Sequence, residues 1–384
     1  MPNISIDDLK RLISNREIGA ITLDTSIYIH HHYGFEVGIL SKLSQFKNTE
    51  IKFIVVDMIQ HETLSHLIEE AKKNKAETKN SLKVIGNSWG VTPQRRQELM
   101  DELFTSNEDE ISKARFDDFK KKAGAREIKC AELSSLSKVI DLYFNKIAPF
   151  AIKKDKKNEF PDALALSALE VWAESNNTKI LAVSKDNDWK EFCETSPLLY
   201  FIDELSNALT ALHSNASVNI INALKTINID ELNKEIIESI PHQLYNLTVD
   251  VEASSSFYYD VESSELTMVD DQQQPINDFE KFLSTLSIID TEEESFSVQY
   301  TVNCNVDIET TLDFNTWDGI DKEFIGMGGG IFNNSEDIDI DIIINFNRDG
   351  NDIEIDSIEV ISSSITIDLG EVGPDWMNDP DYYD

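Results

Sequence analysis

The chain is poor in cysteine, in long apolar runs and, over its second half, in positive charge. Among 384 residues there are three cysteines, Cys130, Cys193 and Cys304, with no Cys-x-x-Cys spacing. That usage argues against a disulfide framework or a cysteine-ligated zinc site and suits a reducing cytoplasm. No uninterrupted apolar stretch approaches the roughly 20 residues that cross a bilayer. Met1–Ala20 mixes both signs of charge where a signal peptide would be apolar, so the expectation is a cytoplasmic protein with no membrane partner. After His213 only Lys225, Lys234, Lys281, Lys322 and Arg348 remain, against 38 Asp and Glu.

What is present divides along the same line. Met1–His213 holds 29 Lys and Arg against 33 Asp and Glu, a formal charge of -4, while the remainder carries -33 of the total -37. Two regions so different in charge imply two domains with different tasks. An acidic module repels nucleic acid, and a near-neutral one with clustered lysines does not. At 41% apolar and 9% aromatic residues, the chain has enough to bury a core in each.

The periodicity of the first region alternates helix and strand. Ile4–Asn15 reads as an amphipathic helix, Gly19–Leu23 as a strand, Phe35–Phe46 as helical and Ile51–Val56 as a second strand. Asp57 stands where a helix N-cap is expected, with Gln60–Ala71 following. From there to Phe150 the pattern is helical and charged, with breaks at Trp89-Gly90 and Gly124. Pro161 opens a further helix, Lys179–Val183 and Leu198–Ile202 read as strands, and Asp203–His213 closes the region. Such alternation predicts an α/β fold with a parallel sheet covered by helices. Sites in such sheets gather beyond the carboxyl ends of the strands.

Beyond it, Val218–Ile240 reads as one or two helices. From Leu244 the pattern has period two with an acidic outer face, as in Ile338-Asp-Ile-Asp-Ile, which predicts antiparallel strands. Arg348-Asp349-Gly350-Asn351 reads as a hairpin turn, and Gly326-Met327-Gly328-Gly329-Gly330 as a turn without the Lys-Ser/Thr of a phosphate loop. The expected division is 1–213, a helical connector 214–243, an acidic β-rich domain 244–370 and an acidic tail 371–384.

Four acidic stretches carry the chemistry. They are Leu23-Asp24-Thr25-Ser26, His61-Glu62, Pro161-Asp162-Ala163 and Ser184-Lys185-Asp186-Asn187-Asp188-Trp189. Each sits at a strand end or in the first turns of a helix. Singly, each reads as a cap, a first-turn acid favoured by the helix dipole or an ordinary turn. Brought together, they would form a cup of carboxylates of the kind that holds divalent cations against a phosphodiester. Lys153, Lys154, Lys156 and Lys157 precede Asp162, where a phosphate backbone would approach; Lys120–Lys122 and Arg95-Arg96 are weaker versions of that idea. His30-His31-His32 point in different directions on a helix and do not make a ligand set.

These stretches, in this order and on these elements, resemble the acidic motifs of PIN-domain nucleases. The run Glu159-Phe160-Pro161-Asp162-Ala163-Leu164 after lysines is similar to a bacterial PIN-like subgroup labelled as a domain of unknown function. The resemblance covers Gly19–His213. It implies a Rossmann-like α/β/α fold and Mg²⁺- or Mn²⁺-dependent endonuclease activity, with single-stranded RNA favoured over DNA. It also implies metal-binding, catalytic carboxylates at Asp24, Glu62, Asp162 and Asp186 or Asp188, and Ser26 and Ser184 as neighbouring polar residues that orient water or phosphate. PIN-like domains often pair, so a homo-oligomer is implied, and family analogy adds a bacterial toxin or defence role. The chain departs from the pattern in its long helical insertion between Glu62 and Asp162 and in Trp189, where Phe is commoner. A catalytically silent PIN-like scaffold that binds nucleic acid or protein remains the alternative. For the acidic region three readings stay open: a module that binds a regulatory protein partner, a nucleic-acid mimic that inhibits the first domain, or a Ca²⁺ site at Asp337, Asp339 and Asp341 with Asp349 and Asp352.

Overall fold

The computed structural model describes residues 4–150, 159–269, 274–320, 322–349, 352–362 and 364–378. The chain divides into two compact units, Met1–Ser214 and Asn215–Asp384. The first is built on five parallel strands: β1 (Ile18–Leu23), β2 (Lys52–Val56), β3 (Arg126–Ile128), β4 (Lys179–Val183) and β5 (Leu199–Ile202). Their order is β3-β2-β1-β4-β5. β1 (Ile-Gly-Ala-Ile-Thr-Leu) is apolar on both faces because both are covered. Gly19 within it permits a close approach, since a Cβ there would stand 2.4 Å from the Thr178 hydroxyl. Helices flank the sheet: Ile6–Ser14 packs on Leu205–Leu212, and Asp57–Trp89 packs on Phe160–Ser175 and Glu108–Ala123.

The strand order sets the site. From β1 the chain runs outward through β2 to β3, then returns to the other side of β1 for β4 and β5. The β1/β4 border is thus a topological switch point, where a crevice opens beyond the carboxyl ends of the strands. β1 ends at Leu23, opposite Val183 of β4, and the Asp24 N–H donates to the Val183 carbonyl at 3.0 Å.

Three expectations for this unit need correction. The helix after β2 starts at Asp57 itself, with Val56 at the cap position, and the Asp57 carboxylate accepts from the Cys130 N–H at 2.9 Å. That helix then runs 33 residues to Trp89 and stops where Gly90 takes a left-handed φ of 68°. β3 lies inside the stretch read as wholly helical. With three residues and only Ile128 buried, it shows no period to detect. Lys120 is not a substrate-guiding residue but is buried, donating to Gln60 Oε1 and ion-paired with Asp117 and Glu127. The same helix returns the insertion to the core through Phe116 and Phe119, packed on Tyr28 and Phe35.

The second unit holds β6 (Thr248–Ser254), β7 (Tyr258–Met268), β8 (Ser287–Thr291), β9 (Ser295–Asp318), β10 (Glu323–Asp349), β11 (Asp352–Val360) and β12 (Ser364–Glu371). β9 and β10, of 24 and 27 residues, pair antiparallel from end to end in the sheet order β11-β10-β9-β7, with β8 also on β9. β12 and β6 make a separate parallel pair.

Here too some expectations fail. Residues 214–243 are not merely a connector: Ile220, Leu224, Leu232, Ile236 and Ile240 share one apolar core with Val298, Ile340 and Phe346. The glycine run is not a turn but lies within β10, bulged between Gly326 and Gly328, the latter at φ 93°. Of the expected tail, Val372 and Pro374 are buried, and the Trp376 indole donates to the Met327 carbonyl at 2.7 Å. Asp349 pairs with Asp352 as a hairpin requires, and Gly350-Asn351 lie outside the described residues. Asp337, Asp339 and Asp341 are not gathered as a Ca²⁺ site. Each accepts a bond across the strand pair from Asn305, Asn303 or Thr301.

Candidate active site

The centre of the crevice is Asp24, buried at 5% exposure directly after β1. Its Oδ2 accepts from the Ser26 hydroxyl at 2.5 Å and the Ser184 hydroxyl at 2.7 Å. Ser184 is fully buried at the end of β4, and its oxygen also accepts from the Asp186 N–H at 2.9 Å. The Ser26 oxygen accepts from the Lys185 N–H at 3.0 Å. Two serines thus tie the loops after β1 and β4 into one unit, so Asp24 and Asp186 are placed together. Asp186 caps the Asn187–Thr195 helix, accepting from the Asp188 N–H at 2.7 Å, the standard use of an Asp at that position.

Glu62 and Asp162 arrive from helices. Glu62 lies on the helix after β2, and its Oε2 accepts from the Thr25 hydroxyl at 2.8 Å. Thr25 sits beside Asp24 in the sequence, and its role is visible only once that helix is docked. Asp162, half-buried, stands in the first turn of the helix Phe160–Ser175, after Pro161. Its Oδ1 accepts from the indole N–H of Trp189 at 2.9 Å, and Trp189 is fully buried. A Phe at that position could not make this bond.

The charge states follow from this crowding. Burial raises the pKa of Asp24, the Asp186 charge adds to the rise, and the bonds from Ser26, Ser184 and the Thr25 backbone oppose it. Burial, then the charges of Asp24, Glu62 and Asp186, push Asp162 up to about 7 against the pull of the Trp189 indole. Asp162 therefore feels the charges of the other three carboxylates, and Asp24 that of Asp186. Asp188 is buried in the first turn of the helix that Asp186 caps. Lys153, Lys154, Lys156 and Lys157 lie outside the described residues. His31, half-buried, is held neutral, its pKa pushed down to about 3 chiefly by burial.

The family model of the PIN domain matches residues 21–189. The N-terminal unit carries a PIN domain. The match starts in β1 and ends on Trp189, so it spans every acidic position described above and none of the second unit. Comparison with curated proteins and with solved structures found no match. PIN domains are usually nucleases that use divalent metal ions. The donor set of this PIN domain suits such an ion: every side chain is an oxygen donor of the kind Mg²⁺ and Mn²⁺ take. Burial, with the neighbouring negative charges added to it, favours the protonated form of Asp162. As the side chains stand, among the described residues no three His, Cys, Asp or Glu converge closely enough to hold an ion. The hydroxyl and indole donors occupy oxygens of Asp24, Glu62 and Asp162.

Ser184→Ala tests the serine link. It removes a donor from a buried carboxylate and an acceptor from the Asp186 N–H, so the PIN domain should lose about 2 kcal/mol of stability. Metal affinity should fall at least roughly tenfold, as when supporting bonds to ligands are cut. Urea unfolding and titration calorimetry with Mn²⁺ read the two effects. An unchanged midpoint together with unchanged affinity would dismiss the link.

Proposed function

We propose that the PIN domain is a metal-dependent endonuclease that hydrolyses phosphodiester bonds, with single-stranded RNA as the favoured substrate. The observation that supports this reading is that Asp162, half-buried beyond the β1/β4 switch point, is pushed up to about 7 by burial first and then by the charges of Asp24, Glu62 and Asp186. Carboxylates so placed cost stability unless a cation neutralises them. Mg²⁺ or Mn²⁺ is the proposed cofactor, and when bound it supplies Lewis-acid relief of phosphate charge and an activated water.

In this reading Asp24 is the central ligand and Asp162 lies beside it. Asp186 and Asp188 contribute one further ligand between them, and Glu62 orients water. Ser26 and Ser184 hold the Asp24 carboxylate in place and keep Asp186 near it. The carboxylates alone would repel a phosphate, so Lys153, Lys154, Lys156 and Lys157 are assigned the approach of the strand. The second unit, at -33, takes no part in binding nucleic acid and is assigned to a regulatory protein partner. By analogy at the level of the fold, the reading extends to a bacterial toxin or defence effector and to pairing of two PIN domains.

The test is cleavage of labelled single-stranded RNA, single-stranded DNA and duplex DNA by the full chain, with Mg²⁺, Mn²⁺ or chelator. Cutting of the single-stranded RNA that needs metal and disappears in Asp24→Asn is expected. Binding of these strands without any cutting would replace the enzyme by a silent scaffold. Cutting confined to DNA would replace the substrate.

A further inference from the structure

The helical insertion holds a cleft of about 800 Å³ that the carboxylate centre does not use. Lys72, Lys75, Lys79 and Lys83 line it from the Asp57–Trp89 helix at a spacing that makes one stripe. Arg96 lines it from the facing helix Pro93–Leu103, with Met100 and Phe104 as apolar floor. Gly86 decides where Arg96 lies: a Cβ there would come within 2.6 Å of Nη1, and that nitrogen donates to the Lys83 carbonyl at 3.3 Å. Lys75 is neutralised by Glu108 at 2.7 Å, with its ammonium 5.5 Å from the centroid of the Phe104 ring. Among the described residues Lys79 and Lys83, both exposed, enter no ion pair.

A run of lysines usually forms a solvated face. This one is concave, has an apolar floor and keeps unpaired positive charge within a chain of net charge -37. Like charges a turn apart weaken a helix, a cost that an anion laid along the stripe removes. The stripe also lies on the helix that carries Glu62. At about 1.5 Å per residue, Lys72 is about 15 Å and Lys83 about 32 Å further along it. Successive lysines therefore offer contacts about every 6 Å along a line leading away from the carboxylates.

We propose that this cleft is a second contact for single-stranded nucleic acid, taking its phosphates through Lys79, Lys83 and Arg96 and a base against the apolar floor. The choice of nucleic acid over another polyanion rests on the nuclease reading. The cleft fixes the strand at a distance from the cut, so it sets affinity for long substrates and leaves the chemistry alone.

The test is fluorescence anisotropy of labelled RNA and DNA 20-mers with the full chain in chelator, across a salt series. The triple variant Lys79→Gln/Lys83→Gln/Arg96→Gln should bind the strand roughly tenfold more weakly. Its log–log salt slope should be shallower by about 2, at about 0.7 per lost phosphate contact. Unchanged affinity and slope would overturn the proposal. Should the variant fail to fold, lysine acetylation of the wild-type chain decides: bound strand should protect Lys79 and Lys83. No protection, or equal protection by a free mononucleotide at the same phosphate concentration, would overturn it. Cutting of a dinucleotide, too short to reach the cleft, separates the two readings. If the triple variant still cuts it while long-strand binding is lost, both stand. If nothing is cut but binding still depends on the cleft, only the nuclease reading falls.

Discussion

Asp162→Asn should abolish cleavage and at the same time stabilise the metal-free PIN domain above pH 7. The two effects share a cause. Folding moves this carboxyl from an ordinary 3.8 to about 7, chiefly through burial and then through Asp24, Glu62 and Asp186. A folded-state pKa above the unfolded one means that the native state binds more protons between those values. Stability therefore declines as pH rises from about 4 to about 7, then levels off. Asn carries the same shape without the charge and can still accept from the Trp189 indole. At about 1.4 kcal/mol per unit, discounted for the partial exposure of the group, the gain at pH 8 is on the order of 2 kcal/mol. For a unit of this size that corresponds to roughly 4–8 °C in Tm.

Below pH 4 the two proteins should melt alike, because both are neutral at this position. Adding Mg²⁺ should raise the wild-type Tm and leave the variant nearly unmoved. Cleavage should fall by two to three orders of magnitude or more, the equivalent of a few kcal/mol of lost charge stabilisation. Melting curves at pH 4, 6 and 8, with and without metal, separate the terms. A variant less stable than wild type at pH 8 would mean that the carboxylates do not repel as described.

Trp189→Phe should be the second most damaging change, although Phe suits a PIN domain. Trp189 is fully buried, and its indole N–H is the donor that holds Asp162 Oδ1 at 2.9 Å. Phe leaves a smaller ring in the same space and no donor. The loss should be about 2–3 kcal/mol of stability from the cavity and the missing bond. Cleavage should drop roughly 10- to 100-fold, the usual cost of removing a bond that orients a metal-binding side chain. The indole lowers the Asp162 pKa, so in metal-free protein its carboxyl should titrate higher in the variant, as carboxyl-carbon NMR would show. A stability loss with unchanged cleavage and unchanged titration would reduce Trp189 to a packing residue.

The parts of the site that were legible in the sequence are those with a local signature. Asp24 follows an apolar run, Asp162 follows Pro161 at a helix start, and Asp186 opens a helix after a β-branched strand. Each of those patterns is written within about ten residues. Thr25 and Trp189 lay inside the quoted motifs, yet their bonds to Glu62 and Asp162 join segments 37 and 27 residues apart. No periodicity encodes such a bond. Lys120 was misread for the same reason. A lysine in a basic run looks solvated until Gln60 and Glu127, on other elements, close around it. The glycine run of β10 looked like a turn because glycine marks turns and bulges alike, and only the pairing with β9 separates them.

The sequence by itself determined the alternation of helix and strand in the first unit and the strands of the second, apart from β3 and the glycine run of β10, and the partition of charge between the two units. These depend on local propensity and on composition. Tertiary structure alone decided that β4 lies beside β1, with Ser184 bonded to Asp24 across 160 residues of chain. It decided that Asp162 sits where three other charges act on it, and that the lysines of the insertion line a cleft against Arg96. Strand order and helix docking are settled by burial and pairing over the whole domain, and the chemistry of these side chains follows from the neighbours that docking supplies.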